Sequence, residues 1–249
     1  MNASATPSAH PALTTPVATR RVTDAPTRMV HWLFALCFVG AYATADGERW
    51  RLLHVTLGYT LAGLLGFRVL YGLVGPQHAR LSLLWRKVNG LPKWLRSFKP
   101  TAGQALLADV NWRQGQNLAM AGAVVFLMAL VLPLTLSGYA TYNEWGGEWL
   151  EELHEFVGEF FLWTVLAHLG LLLGLSLLRR KNQALPMLTG RIEGNGPDFA
   201  KRNHVWLAGL LLVAVLGYWA WEWQQASTTA TGAAPSSWTA RQHGDGDDD

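Results

Sequence analysis

Five uninterrupted apolar stretches of 18 to 26 residues constrain this chain more than any other feature. They run over residues 29–46, 53–74, 117–140, 153–178 and 204–223. A helix needs roughly 20 apolar residues to cross the hydrocarbon core, so the pattern predicts five membrane-spanning helices. Strand spans do not fit, because the runs are continuous rather than alternating. Only 15% of the 249 residues are charged, against about 25% in a soluble domain. The one cysteine, Cys37, excludes disulfide frameworks and thiolate-held clusters. The absence of a CxxCH motif excludes covalent c-type haem attachment.

The placement of Lys and Arg sets an orientation. Sixteen lie before the first span and in the loops 75–116 and 179–203, against three on the other side. The positive-inside rule then puts the N-terminus in the cytoplasm and the C-terminus on the opposite side of the membrane. Residues 1–22, rich in Ala, Thr, Ser and Pro, read as a disordered cytoplasmic tail without a cleavable signal. Residues 224–249 read as a disordered extracytoplasmic tail ending in Asp245, Asp247, Asp248 and Asp249. The loop segments LSLLWRKV and LPKWLRSFK mix Trp and Leu with Arg and Lys, which suits helices lying among lipid headgroups. Nucleic-acid binding, the other reading of a basic aromatic stretch, does not suit a loop between two spans.

Ionisable residues inside spans are costly and point to function. Here they are His31 in the first span, His54 in the second, and His154 and His168 in the fourth. The fourteen residues between His154 and His168 make four helical turns less about 40°. Both imidazoles therefore share a face, about 21 Å apart along the axis. With alternating span directions, His54 lies level with His154 near the outer surface, and His31 shares the inner half with His168. Two cross-helix pairs result. A haem, with two axial positions and an apolar macrocycle, fits a pair of imidazoles in a bundle core. Zinc fits less well, since each pair offers two ligands where a closed site wants four. The alternative without metal is four histidines hydrogen-bonded across helices. Bis-histidine haems leave no open coordination position, so the chemistry they imply is electron transfer.

Several motifs resemble a known family. His-Trp at 31–32, LHVTLGY at 53–59, FRVLYGLVGPQHARL at 67–81, LHEFVGEFF at 153–161, AHLGLLLG at 167–174 and PMLTGR at 186–191 are similar to the bacterial cytochrome b561 and Ni-hydrogenase type di-haem cytochromes b. The resemblance implies a four-helix membrane bundle, here residues 23–191, around two haem b groups. His31, His54, His154 and His168 would be the axial ligands, paired His54–His154 and His31–His168. It also implies electron passage between a quinone and a partner such as a cytochrome c, a dehydrogenase or a hydrogenase. Residues 192–223, a linker and fifth helix, lie beyond that core. Where the family begins its third span with His-Asn-Pro, this chain has Gln116, Asn117 and Leu118.

Other polar residues have two readings each. Arg68, about four turns inward from His54, could hold a haem carboxylate through bidentate hydrogen bonds or snorkel to the headgroups. Arg28 has the same pair of readings. His78 is either a turn histidine or a proton relay to a quinone. Two rival functions stand beside electron transfer. One is a self-contained quinone-linked oxidoreductase acting on a small substrate such as superoxide, and the other is a haem-free transporter or membrane anchor.

Overall fold

The computed structural model describes residues 18–96, 98 and 111–232. These form helices α1 (Ala25–Ala43), α2 (Arg51–Val74), α3 (Leu81–Val88), α4 (Leu91–Arg96), α5 (Trp112–Tyr142), α6 (Glu148–Arg179), α7 (Leu185–Leu188) and α8 (Val205–Gly232). Two three-residue strands, β1 (Thr19–Arg21) and β2 (Arg191–Glu193), pair antiparallel with Arg20 opposite Ile192. The aspartates at the C-terminal end lie outside the described residues.

Four helical segments are long and apolar enough to cross a membrane: Glu48–Val74, Trp112–Tyr142, Glu148–Arg179 and Val205–Thr228. Five were expected, and α1 is the difference. It has 19 residues, and its first two turns hold Pro26, Thr27, Arg28 and His31. The expected span also reached Asp46, whereas the helix stops at Ala43, where Thr44 turns back to bond the Gly40 and Ala41 carbonyls. Even so, α1 packs along α2 and α8, and Leu33, Cys37, Phe38 and Ala41 are buried in the common core.

The long helices form antiparallel neighbours: α1 with α2, α2 with α5, and α5 with α6, while α8 closes on α1 and α2. The core runs through Leu61, Leu64, Val131, Val157, Phe161 and Val215. Outward-facing positions remain apolar, among them Leu70, Leu173, Leu177 and Val213. In water such a surface would aggregate; in a bilayer it meets chains as apolar as itself. The molecule is a multi-pass membrane protein.

The end of the bundle where α1 begins is stitched by backbone contacts. Within the stretch expected to be a disordered tail, residues 19–21 are instead strand β1, held by β2 and by the Arg21 N–H donating to Asp198. Gly190 turns the chain at φ +79° so that its carbonyl accepts from the Val22 and Thr23 N–H groups. Trp32 Nε1 donates to the Met187 carbonyl at 3.1 Å, and Arg28 Nη1 to the Leu188 carbonyl at 3.1 Å. The basic aromatic segments 81–88 and 91–96 are helical, with Trp85, Leu91 and Leu95 exposed beside Arg86, Lys87 and Lys93.

Candidate functional site

At the end of the bundle expected to face outward, the first turn of α2 carries His54 and the second turn of α6 carries His154. Their ring centres lie 6.0 Å apart, with planes at 86°. Each ring is anchored by its own backbone acceptor. The Ala41 carbonyl in the last turn of α1, which also accepts from Thr44, lies 2.8 Å from His54 Nδ1. His154 Nδ1 lies 3.1 Å from the Leu134 oxygen and 3.2 Å from Ser137 Oγ on α5. A carbonyl can only accept, so Nδ1 carries the proton and Nε2 keeps its lone pair in both rings. That is the tautomer of a metal-ligating histidine whose other nitrogen is fixed by a carbonyl.

Close approach at this end depends on Gly138. A Cβ there would sit 2.7 Å from His154 Cε1, closer than non-bonded carbons tolerate. Gly138 and Ser137 did not stand out in the sequence, because nothing local marks them. The signal is a small-residue Ser-Gly pair one turn before the end of an apolar helix.

At the inner end, His31 on α1 and His168 on α6 lie near enough to interact electrostatically. Unlike the outer pair, their Nδ1 atoms are buried without a hydrogen-bond partner. An unpaired buried nitrogen is expensive, and a ligand that takes the ring's other nitrogen offsets part of that cost. His168 also borders a groove of about 560 Å³ between α5 and α6, lined by Gly122, Phe126, Phe160, Trp163 and Ala167. Elsewhere along the same helices, Gly58, Gly63, Gly66, Gly170 and Gly174 have open space where a Cβ would be. Gly72 differs, since a Cβ there would collide with Leu81 and Arg68.

These observations fit haem. The donor sets are two imidazoles each, the Nδ1 atoms of the outer pair are taken up by backbone carbonyls, and the flanking surfaces are apolar. Two metal–nitrogen bonds of about 2 Å, plus the reach from each nitrogen to its ring centre, roughly span the observed 6.0 Å. Among the described residues, no group of three or more His, Cys, Asp or Glu is gathered in a way that could hold a metal ion. A closed zinc site therefore has no donor set there.

The family decides what the geometry leaves open. The family model described as prokaryotic cytochrome b561 matches residues 22–190. The chain belongs to the prokaryotic cytochrome b561 family. It is similar to the probable Ni/Fe-hydrogenase 1 B-type cytochrome subunits of Escherichia coli K12 and O157:H7, at 28% identity over 171 residues in each case. Those matches cover 59% of this chain and 71% of the relatives. No solved structure matches. As a member of this b-type cytochrome family, the chain is a haem b protein of membrane electron transfer.

The remaining polar candidates meet at the end of the bundle where α1 begins. Asp24, which caps α1, is fully buried and accepts from the Thr27 N–H, from Tyr71 Oη and from His78 Nε2 at 2.8 Å. Burial alone would raise its carboxyl pKa, but the hydrogen bonds from Thr27, Tyr71 and His78 and the charge of His78 hold it below the ordinary value. Arg68 Nη1 donates to the Ala79 carbonyl at 3.1 Å and interacts electrostatically with Asp24. His78 is thus tied to a carboxylate within the GPQHAR turn. Asp24 was missed in the sequence, although an Asp directly before Ala-Pro at a helix start is a capping signal. Gln116, which stands where the family has histidine, accepts from Arg179 Nε and Nη2 at 3.0 and 2.7 Å.

Proposed function

We propose that this protein passes electrons across the bacterial inner membrane through two b haems, with His54 and His154 holding the outer one and His31 and His168 the inner one. The observation that carries the reading is the outer pair. Two imidazoles from different helices face one another, each with its Nδ1 committed to a carbonyl and its Nε2 free. Haem, when bound by these histidines, would supply an iron able to take up and give back single electrons. The chain's own residues orient the rings, exclude water with an apolar core and keep the pairs about four turns apart along α6. Arg68 braces the GPQHAR turn through Ala79, and its remaining N–H groups are those we propose for a haem carboxylate. α1 crosses beside α2 and α8 as a shorter fifth span.

The positive-inside bias supports a cytoplasmic N-terminus and a periplasmic C-terminus. Similarity to relatives named as hydrogenase cytochrome subunits supports a hydrogenase or another dehydrogenase as redox partner. A quinone in the bilayer is the counterpart on the other side of the circuit, and a cytochrome c is the other partner to test. Single replacements provide the experiment. His54→Ala and His154→Ala should each remove the same haem from the purified protein, and His31→Ala and His168→Ala the other. Retention of both haems in any of these correctly folded variants would break the pairing.

A further inference from the structure

The connection from α2 to α5 gathers positive charge with almost nothing in the chain to match it. Between Glu48 and Glu144 the sequence holds a single acid, Asp109. Arg86 and Lys87 on α3, Lys93 and Arg96 on α4, and Arg113 at the start of α5 are all exposed. None of the five forms an ion pair among the described residues. Cations gathered on one surface repel each other and attract an anion from outside the chain.

The same segment is held in a fixed place. Leu81, the first residue of α3, fills the space that a Cβ on Gly72 of α2 would need. Trp94 of α4 fills the space beside Gly115 of α5 in the same way, and its Nε1 donates to the Asn111 carbonyl at 3.2 Å. These two wedges dock α3 and α4 beside the ends of α2 and α5, both long and apolar enough to cross a membrane. The cations therefore stand at the level where two spans leave the hydrocarbon. Trp85, Leu91, Leu95 and Trp112 are exposed among them. Exposed tryptophan beside cations at the end of a span is the pattern of the headgroup region. A nucleic acid or an acidic soluble protein would match the charge but leave those apolar side chains facing water.

We propose that α3, α4 and the start of α5 form a binding platform for anionic phospholipid. The side chains of Arg86, Lys87, Lys93, Arg96 and Arg113 take the phosphodiester headgroups, and Trp85, Leu91 and Leu95 enter the ester region beneath them. Guanidinium pairs with phosphate through parallel hydrogen bonds, and the negative surface of such lipids adds attraction for each cation. Zwitterionic lipid is the weaker occupant, because its own ammonium brings positive charge to a face that already carries five. The platform rests on the membrane topology and does not depend on which residues hold haem.

The test titrates the full-length protein in detergent with phosphatidylglycerol or with phosphatidylcholine of the same acyl chains, and counts bound lipid by native mass spectrometry. The wild type should bind phosphatidylglycerol at least about fivefold more tightly, the worth of one cation at a charged surface. Combining Arg86→Gln, Lys87→Gln, Lys93→Gln and Arg96→Gln should abolish that preference. If the combined variant does not fold, the pair Arg86→Gln and Lys87→Gln and the pair Lys93→Gln and Arg96→Gln should each reduce it. Arg180→Gln, Lys181→Gln, Lys201→Gln and Arg202→Gln remove the same charge from the segment after α6 and should leave the preference intact. A preference that survives in the α3–α4 variants, or disappears in the variant after α6, overturns the platform. Equal affinity of the wild type for the two lipids overturns it as well, and tight binding to heparin in that case would assign the face to an acidic macromolecule.

Discussion

Asp24 shows how much one buried side chain can carry. It caps α1, receives Tyr71 from α2 and His78 from the following turn, and has no exposure to solvent. Replacing it with alanine removes the cap and strands three donors, a loss of about 3 kcal/mol, measurable as a lowered melting temperature in detergent. The pH dependence follows from the depressed carboxyl. Its stabilisation is complete above the unfolded value of about 3.9 and is lost as pH falls through the lower folded value. Between pH 5 and 3 the wild type should therefore lose more thermal stability than Asp24→Asn, which has no carboxyl to protonate. Gly138 gives a second residue-scale prediction. Gly138→Ala puts a methyl 2.7 Å from the His154 ring and should expel the outer haem while sparing the inner one, halving the haem content. The approach of His54 to His154 and of His31 to His168 was legible in the sequence, because helical periodicity and span direction fix face and depth. Asp24, Gly138 and Ser137 were not, because what they do depends on contacts between segments far apart in the chain.

At the scale of helices, the apolar runs located α2, α5, α6 and α8 but fell short of their ends. The run 153–178 sits inside a helix from Glu148 to Arg179, and 117–140 inside one from Trp112 to Tyr142. Hydrophobicity marks where lipid is, whereas helical hydrogen bonding continues into the headgroups. The expectation for α1 erred the other way, because an apolar run past Ala43 cannot prevent Thr44 from closing the helix. α8 lay outside the core that resemblance could align, yet Val215 is buried in the common core and Trp219 Nε1 donates to Thr60 Oγ1 at 2.9 Å. Trp219→Phe should cost about 1 kcal/mol through that hydrogen bond. Truncation after residue 203 should cost far more, read as lost thermal stability of the haem absorbance.

The whole molecule sets His154 and His168 about four turns apart on α6, each near a histidine of another helix, with its cations largely on one side and its carboxylates largely on the other. The strand pair β1–β2 and the backbone contacts at residues 187–190 fix the inner end of α1, where His31 sits. The central claim is that the bundle holds two haems, each closed by two histidines. A dithionite-reduced minus oxidised spectrum of the purified protein, with pyridine haemochrome stoichiometry, tests it most directly. The account predicts two b haems per chain, with a reduced spectrum unchanged by carbon monoxide. One haem per chain, or a spectrum that shifts on carbon monoxide binding, would contradict it.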